Sequence, residues 1–305
     1  NRGTQDYEWS PIGIYVGHGD FSKSFLGTFD GSNPDTGEIH SISGLYTKKS
    51  GTGFNSWCAG LFGKTGEGAV IKNVKVLDSY FESEYYSGAV VGHSTGTSIS
   101  NVYTDATVHA NKGNNGGIAG IISNGAFSNC WFAGKVTSSA EGITGGLIGL
   151  INTGDVQITD CLNTGEVYSE GKYVGGFIGM IQRSDTLAKV TLCDSLNVGK
   201  VSSKQTASVG AAIGKMEALL YVDNTSVHTV QSGMTYAIGS GFTGALFDIS
   251  GTQITSGQNN YISFVEESNI SGLSGYMKSG LNFDDTETEQ VIEGAWIATH
   301  TTPVL

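Results

Sequence analysis

Cleavage of a polysaccharide needs two carboxylates facing one another across a cleft, one of them holding a proton near neutral pH. The acids Asp105, Asp155, Glu166, Asp185 and Asp194 are of the right type, but they scatter through the chain at no pairing interval. A Gly-His-Gly-Asp run at 17–20 offers an imidazole between glycines, yet no second catalytic element accompanies it, so it reads as a polar loop. His40, His93, His109, His228 and His300 each stand alone, and no Gly-x-Ser-x-Gly elbow is present. Asp30, Asn33, Asp35 and Glu38 supply oxygen atoms of the kind Ca²⁺ accepts, without the spacing of an EF-hand loop. A Ca²⁺ near Asp30 and Asp35 is therefore one expectation and a plain polar turn the other; no other cofactor is expected. Four cysteines (Cys58, Cys130, Cys161 and Cys193) form no Cys-x-x-Cys pair, and no His-x-x-x-His accompanies them. That argues against structural zinc.

Composition narrows the class further. The chain has 305 residues, with 46 Gly and 3 Pro, and glycine at about twice ordinary usage implies many tight turns and closely approaching backbones. A net charge of −12 would be repelled by phosphate, so nucleic acid and anionic membranes are not expected partners. The longest apolar run, at 209–222, is interrupted by Lys215 and Glu217 and is too short to span a bilayer. The chain starts at Asn1 rather than Met, and a leader or flanking domain is expected before it in the parent protein.

The elements that must position any site come from a repeat. Apolar doublets bounded by small residues end at Gly63, Gly92, Gly120, Gly149, Gly179 and Gly214, at intervals of 29, 28, 29, 30 and 35, with a degenerate copy near Gly239. In phase with them run IKNVKV, ISNVYTDATV, FSNCWFAGKV, ITDCLNTGEV and VTLCDSLNVGKV. Each unit holds three short β-type segments, with no 3.6-residue apolar period and too few strands for a propeller blade. The fold class predicted is all-β: a right-handed parallel β-helix of about ten coils with irregular caps. One solenoid domain is expected over 1–305, with a lead-in and cap at 1–58, repeats at 59–240, and C-terminal coils and a cap at 241–305.

Ile158 and Cys161 can both point inward only if the strand bends at Asp160. Asn73, Asn101 and Asn129 hold that slot in other coils, with Leu192 in the slot of a later one, and Asn and Asp tolerate left-handed turns. Val74, Val102, Cys130, Cys161 and Cys193 then form one inward ladder, in which Cys acts as a small apolar group. The next slot (Lys75, Tyr103, Trp131, Leu162 and Asp194) is expected to face solvent. Tyr103 and Trp131 would there make an exposed aromatic pair suited to a sugar ring, with Tyr85 and Tyr86 adding a second pair on a loop. In the doublet Leu147–Ile148, alternation sends one side chain to the core and the other outward.

These repeats resemble the GLUG-motif repeats of bacterial surface proteins, also found beside immunoglobulin A1 protease-type peptidases. WSPIG (9–13), FLGTFDG (25–31) and IHSISGL (39–45) resemble the family's lead-in, and GAWIATHTTPVL (294–305) its close. The resemblance implies a secreted or cell-wall-attached stalk or binding region within a larger surface protein, rather than a reaction. The His-Glu-x-x-His motif of the associated proteases is missing, and the repeat loses regularity after about residue 205. The expected function is a non-catalytic, adhesin-like face for a glycan or host surface protein. The alternative is a polysaccharide lyase or hydrolase.

Overall fold

The computed structural model describes residues 8–17, 19–139, 142–183, 188–205, 208–223, 227–230, 236–240, 243–255 and 262–265. Among them lie a 17-stranded sheet and two six-stranded sheets, built almost wholly from parallel pairs. The second sheet stacks Tyr46–Lys48, Tyr80–Ser83, Thr107–Ala110, Lys135–Ser138, Glu166–Ser169 and Val201–Ser203 in that order. The third stacks Cys58–Ala59, Tyr86–Gly88, Asn114–Gly116, Ile143–Gly145, Tyr173–Gly175 and Val209–Gly210. The chain visits the three sheets in rotation, so each pass is one turn of a parallel β-solenoid. The only helix among the described residues is the 3₁₀ turn Phe54–Ser56.

Among the described residues about six turns are present, against the ten expected of the whole chain. Three features account for the difference. The interval grows to 34 between the paired Asp155 and Lys189. The lead-in spreads a single set of rungs over residues 12–48, with Ile12 bridging Phe62 and Thr28–Asp30, Ser41–Ser43 and Tyr46–Lys48 each pairing with the turn after it. Finally, most of 241–305, including GAWIATHTTPVL, lies outside the described residues.

The repeating glycine is in register, since Phe62, Val91, Ala119, Ile148, Ile178, Ile213 and Ile238 pair in succession just before it. The degenerate copy at Gly239 thus continues the stack. Inward rungs are equally continuous. Ile71, Ile99, Phe127, Ile158, Leu192 and Val222 pair turn to turn, as do Phe81, Val108, Val136, Val167 and Val201, all of them buried. Each such side chain contributes roughly 1.5–3 kcal/mol by leaving water.

The Asn slot is a left-handed corner as expected. Asn73, Asn101, Asn129, Asp160 and Asp194 have φ of 55°, 55°, 55°, 53° and 45°. Asn101 Nδ2 donates to Asn73 Oδ1 at 2.7 Å, Asn129 Nδ2 to Asn101 Oδ1 at 3.2 Å, and Asn73 Nδ2 to Asp30 Oδ1 at 2.9 Å, so the ladder ends on a carboxylate.

Three expectations are corrected. Asp194, not Leu192, holds the corner slot, because Ile158 pairs with Leu192 and Thr159 with Cys193. Cys193 is therefore half-buried and outside the inward ladder. Ser195 takes the rung beside Cys161 instead, and its Oγ accepts the Cys161 N–H at 3.2 Å. Leu147 and Ile148 both face the core. The chain turns between Ile143–Gly145 and Ile148–Thr159, and the amides of Leu147 and Ile148 both donate to the Phe177 carbonyl, which breaks strand alternation at that corner.

Candidate functional site

On the outside of the first turns, the bend from the long sheet into the second sheet leaves a recess of about 300 Å³. It is lined by Leu45, Tyr46, Asp78, Ser79, Tyr80, Asp105 and Thr107. Each lining residue is placed by the stack. Tyr46, Tyr80 and Thr107 are successive rungs of the second sheet, and the Tyr46 and Tyr80 rings stack at 5.5 Å with planes 18° apart. The Tyr80 hydroxyl donates to Glu82, which pairs with Lys48 at 3.4 Å; burial and the Glu82 carboxylate both push the phenol's pKa up.

Asp78 sits at the corner with φ 47°, and its N–H donates to Asp105 Oδ1 at 2.8 Å. The Asp105 carboxyl is thereby fixed to the backbone of the turn before it. Ser79 holds the floor, accepting the Leu45 N–H at 3.1 Å and donating to the Leu77 carbonyl at 2.7 Å. Partial burial, with the negative charge of Asp78 adding to it, raises the Asp105 pKa above its ordinary value. The recess thus offers two adjacent acceptor groups beside a stacked tyrosine pair, and no basic side chain lines it.

A raised folded-state pKa makes the protein's stability fall as pH rises from the ordinary Asp value through the folded one. The expected result is that D105N gains stability relative to the parent chain on going from about pH 3 to about pH 7, while at the acid end the two match. Asparagine keeps an acceptor for the Asp78 amide and removes the titration. Thermal melts of both chains across this range provide the check. Asp30 acts in the opposite sense: hydrogen bonds from Ser32 and Asn73, then Lys72, lower its pKa. Its contribution is present at neutral pH and disappears as pH falls below the ordinary carboxylate range.

The four aromatic residues expected at the surface separate into two places. Tyr103 and Trp131 meet edge to face at 5.4 Å, but both are buried, Trp131 completely. Trp131 pairs with Tyr103 on one side and Leu162 on the other, and its Nε1 donates to Thr164 Oγ1 at 3.0 Å, so the neighbouring rungs and the next corner cover the ring. The expectation that these two rings are exposed is therefore corrected. Leu162 is buried as well, and Leu196 rather than Asp194 follows it on the ladder.

Tyr85 and Tyr86 are half-buried in an aromatic cluster at the first turns. Trp57 lies 4.6 Å from Tyr85, Tyr15 stacks on Trp57 at 5.5 Å, and Phe54 meets Trp57 at 4.8 Å. Phe54 is exposed and, with Tyr15 and Cys58, lines a smaller recess of about 200 Å³. Lys64, which the sequence did not single out, is buried beneath this cluster. Its Nζ donates to the carbonyls of Gly17 at 3.3 Å and Asp20 at 2.6 Å and lies 4.2 Å from the Phe21 ring, which ties the lead-in loop down.

Asp30 and Asp35 are engaged separately. Asp30 binds Lys72 at 3.1 Å as well as Ser32 and Asn73, whereas the Asp35 N–H donates to Asn33 Oδ1. Among the described residues, no group of three or more His, Cys, Asp or Glu is placed to hold a metal ion. His18, Asp185 and His300 lie outside the described residues.

Fold and surface together define a parallel β-solenoid carrying a polar–aromatic recess on the side of its first turns. No family model matches the chain. The sequence is 30% identical over 94 residues to halomucin from Haloquadratum walsbyi, a stretch that is 29% of this chain and 1% of that protein. The structure is similar to the crystal structure of a Bacteroides ovatus protein provisionally assigned as an immunoglobulin A1 protease. The TM-score is 0.55 at 17% identity, covering 78% of this chain and 70% of the other, and the likeness supports the solenoid fold.

Proposed function

We propose that this chain is a non-catalytic module of a secreted or cell-wall-attached surface protein that binds a glycan in the Tyr46–Tyr80–Asp78–Asp105 recess. The observation that carries the reading is the convergence of a stacked tyrosine pair with two hydrogen-bond acceptors in one cavity. A pyranose presents an apolar face that an aromatic wall can cover and hydroxyl donors that carboxylates can accept. The GLUG-like repeats, and two likenesses whose names point outside the cell, support a surface location within a larger protein. A host surface protein, recognised through its glycans or directly, is the partner such a module would meet.

One observation favours a second reading, a polysaccharide-active enzyme: Asp105 holds its proton more tightly than usual beside a second carboxylate. Against it, both groups lie on one wall, and Asp105 is fixed to the Asp78 backbone rather than facing it across a cleft. A glycan array combined with an activity screen on the same polysaccharides tests both. Binding that falls about tenfold in Tyr46→Ala, with no sugar released, is expected. Release of reducing ends or unsaturated sugars, abolished by D105N, would replace the binding module with the enzyme.

A further inference from the structure

Two carboxylates alone would not make a site, but here they share a cavity with a stacked tyrosine pair and with no cation. The cavity lining contains no Lys, Arg or His. The other acids of this face are matched: Glu82 with Lys48, Glu84 with Lys112, and Glu166 with Lys135. Neither Asp78 nor Asp105 has a basic partner within 4.0 Å among the described residues. Asp78 is exposed and Asp105 half-buried, so the first can draw a cation in and the second can hold it away from bulk water.

Resting on the glycan reading above, we infer that the ligand of the Tyr46–Tyr80–Asp78–Asp105 recess is a glycan bearing a free ammonium group, that is, a deacetylated hexosamine. An ammonium brings three donors and no acceptor, which suits two neighbouring carboxylates that have only acceptors when ionised. The same cation is attracted to the face of a tyrosine ring, and the sugar's apolar face can lie along the pair. A uronate or sulfated sugar would place like charge against Asp78 and Asp105 with nothing to offset it. A neutral N-acetylated sugar would gain the stacking but leave both carboxylates without a counter-charge.

The test uses the whole chain and three oligosaccharide probes of matched length: deacetylated β-1,4-glucosamine oligomers, their N-acetylated counterparts, and oligogalacturonate. Calorimetric titration should show the deacetylated oligomer binding about tenfold tighter than the acetylated one, with the uronate weakest and the preference shrinking as salt rises. D78N and D105N should each remove most of that preference, lowering the deacetylated oligomer's affinity about tenfold and the acetylated oligomer's by distinctly less. Both variants keep the local fold, because asparagine suits the left-handed corner at 78 and retains an acceptor at 105. D155N, an exposed acid on the long sheet, is the control. If D155N lowers the preference as much as D78N does, general attraction to a chain of net charge −12 is the cause and the proposal fails. Equal binding of acetylated and deacetylated oligomers overturns the ammonium selection and leaves the glycan reading standing. Failure of all three probes, with no other glycan retained on the array, removes the glycan reading itself.

Discussion

Gly149→Ala abolishes the native fold, whereas Gly68→Ala costs about 1–2 kcal/mol; that is the expected outcome of adding one methyl group at two different glycines. Gly149 closes the doublet of its turn, and a Cβ there would lie 2.5 Å from the Gly120 carbonyl oxygen and 2.6 Å from the Asn115 nitrogen. Both are main-chain atoms of other strands, so no side chain can swing aside. A Cβ on Gly120 would lie 2.7 Å from the Gly92 carbonyl oxygen, one on Gly179 2.6 Å from that of Gly149, and one on Gly214 2.5 Å from that of Gly179. Relief at one turn therefore needs the third sheet to move off the long sheet along the stack. A strain of this kind exceeds the 1–3 kcal/mol of ordinary overpacking and falls among the most damaging single substitutions. Gly68 has φ +79° with nothing within 4 Å of an added Cβ, so alanine there meets only the left-handed backbone penalty. Circular dichroism and thermal melts of the two variants check the contrast. A Gly149→Ala chain that melts within a few degrees of the parent would mean the corner is not closed as described.

That contact is also why so much of the fold could be read from the sequence. A glycine required at every turn for backbone approach leaves a period in the chain, and the period gave the sheet type, the turn and the stacking. The Asn corners were legible for a related reason: few residues accept φ near 55°, so the slot recurs as Asn or Asp. What was not legible was direction at corners. Alternation holds along a strand, but two consecutive amides, those of Leu147 and Ile148, share the Phe177 carbonyl. Both side chains consequently enter the core, and nothing in the letters Leu-Ile distinguishes that corner from a strand interior.

The recess was hidden by a different cause. Asp105 stood among the noted acids, but its neighbour Asp78 lies 27 residues earlier, and only the strand register brings the two side by side. Alignment on the segments SGLY, DSY and DAT (43–46, 78–80 and 105–107), which open the second sheet, would have shown Tyr46 over Tyr80 and Asp78 beside Asp105. Alignment on the cysteines instead slid one turn by two residues and put Cys193 where Ser195 belongs. An outward slot is not an exposed one, as the wholly buried Trp131 shows. Rungs spaced about 4.8 Å apart cover much of a large ring between them.

Cys161→Asp should unfold the central turns, while Cys161→Val should leave stability within about 1.5 kcal/mol of the parent chain. Cys161 is wholly buried in the core that runs the length of the solenoid. Its Sγ lies 3.1 Å from the Thr159 carbonyl oxygen and 3.8 Å from that of Phe127, both of them acceptors. A thiol satisfies such surroundings as a weak donor. Burial raises the pKa of the adjacent Cys130, keeping that thiol protonated. A carboxylate at 161 brings only acceptors to a place lined with acceptors, so it must either hold an unpaired charge in a dry core or take up a proton. Either outcome destabilises by several kcal/mol, a large share of what a domain has. Valine is the natural comparison, because Val74 and Val102 occupy the same ladder three and two turns away from Cys161. The penalty for Asp should shrink toward acid pH, where the carboxyl is protonated, and the penalty for Val should not change. Denaturant melts of the three chains at neutral and acid pH separate the cases. Equal stability of Cys161→Asp and Cys161→Val at neutral pH would place this rung in solvent and undo the inward ladder.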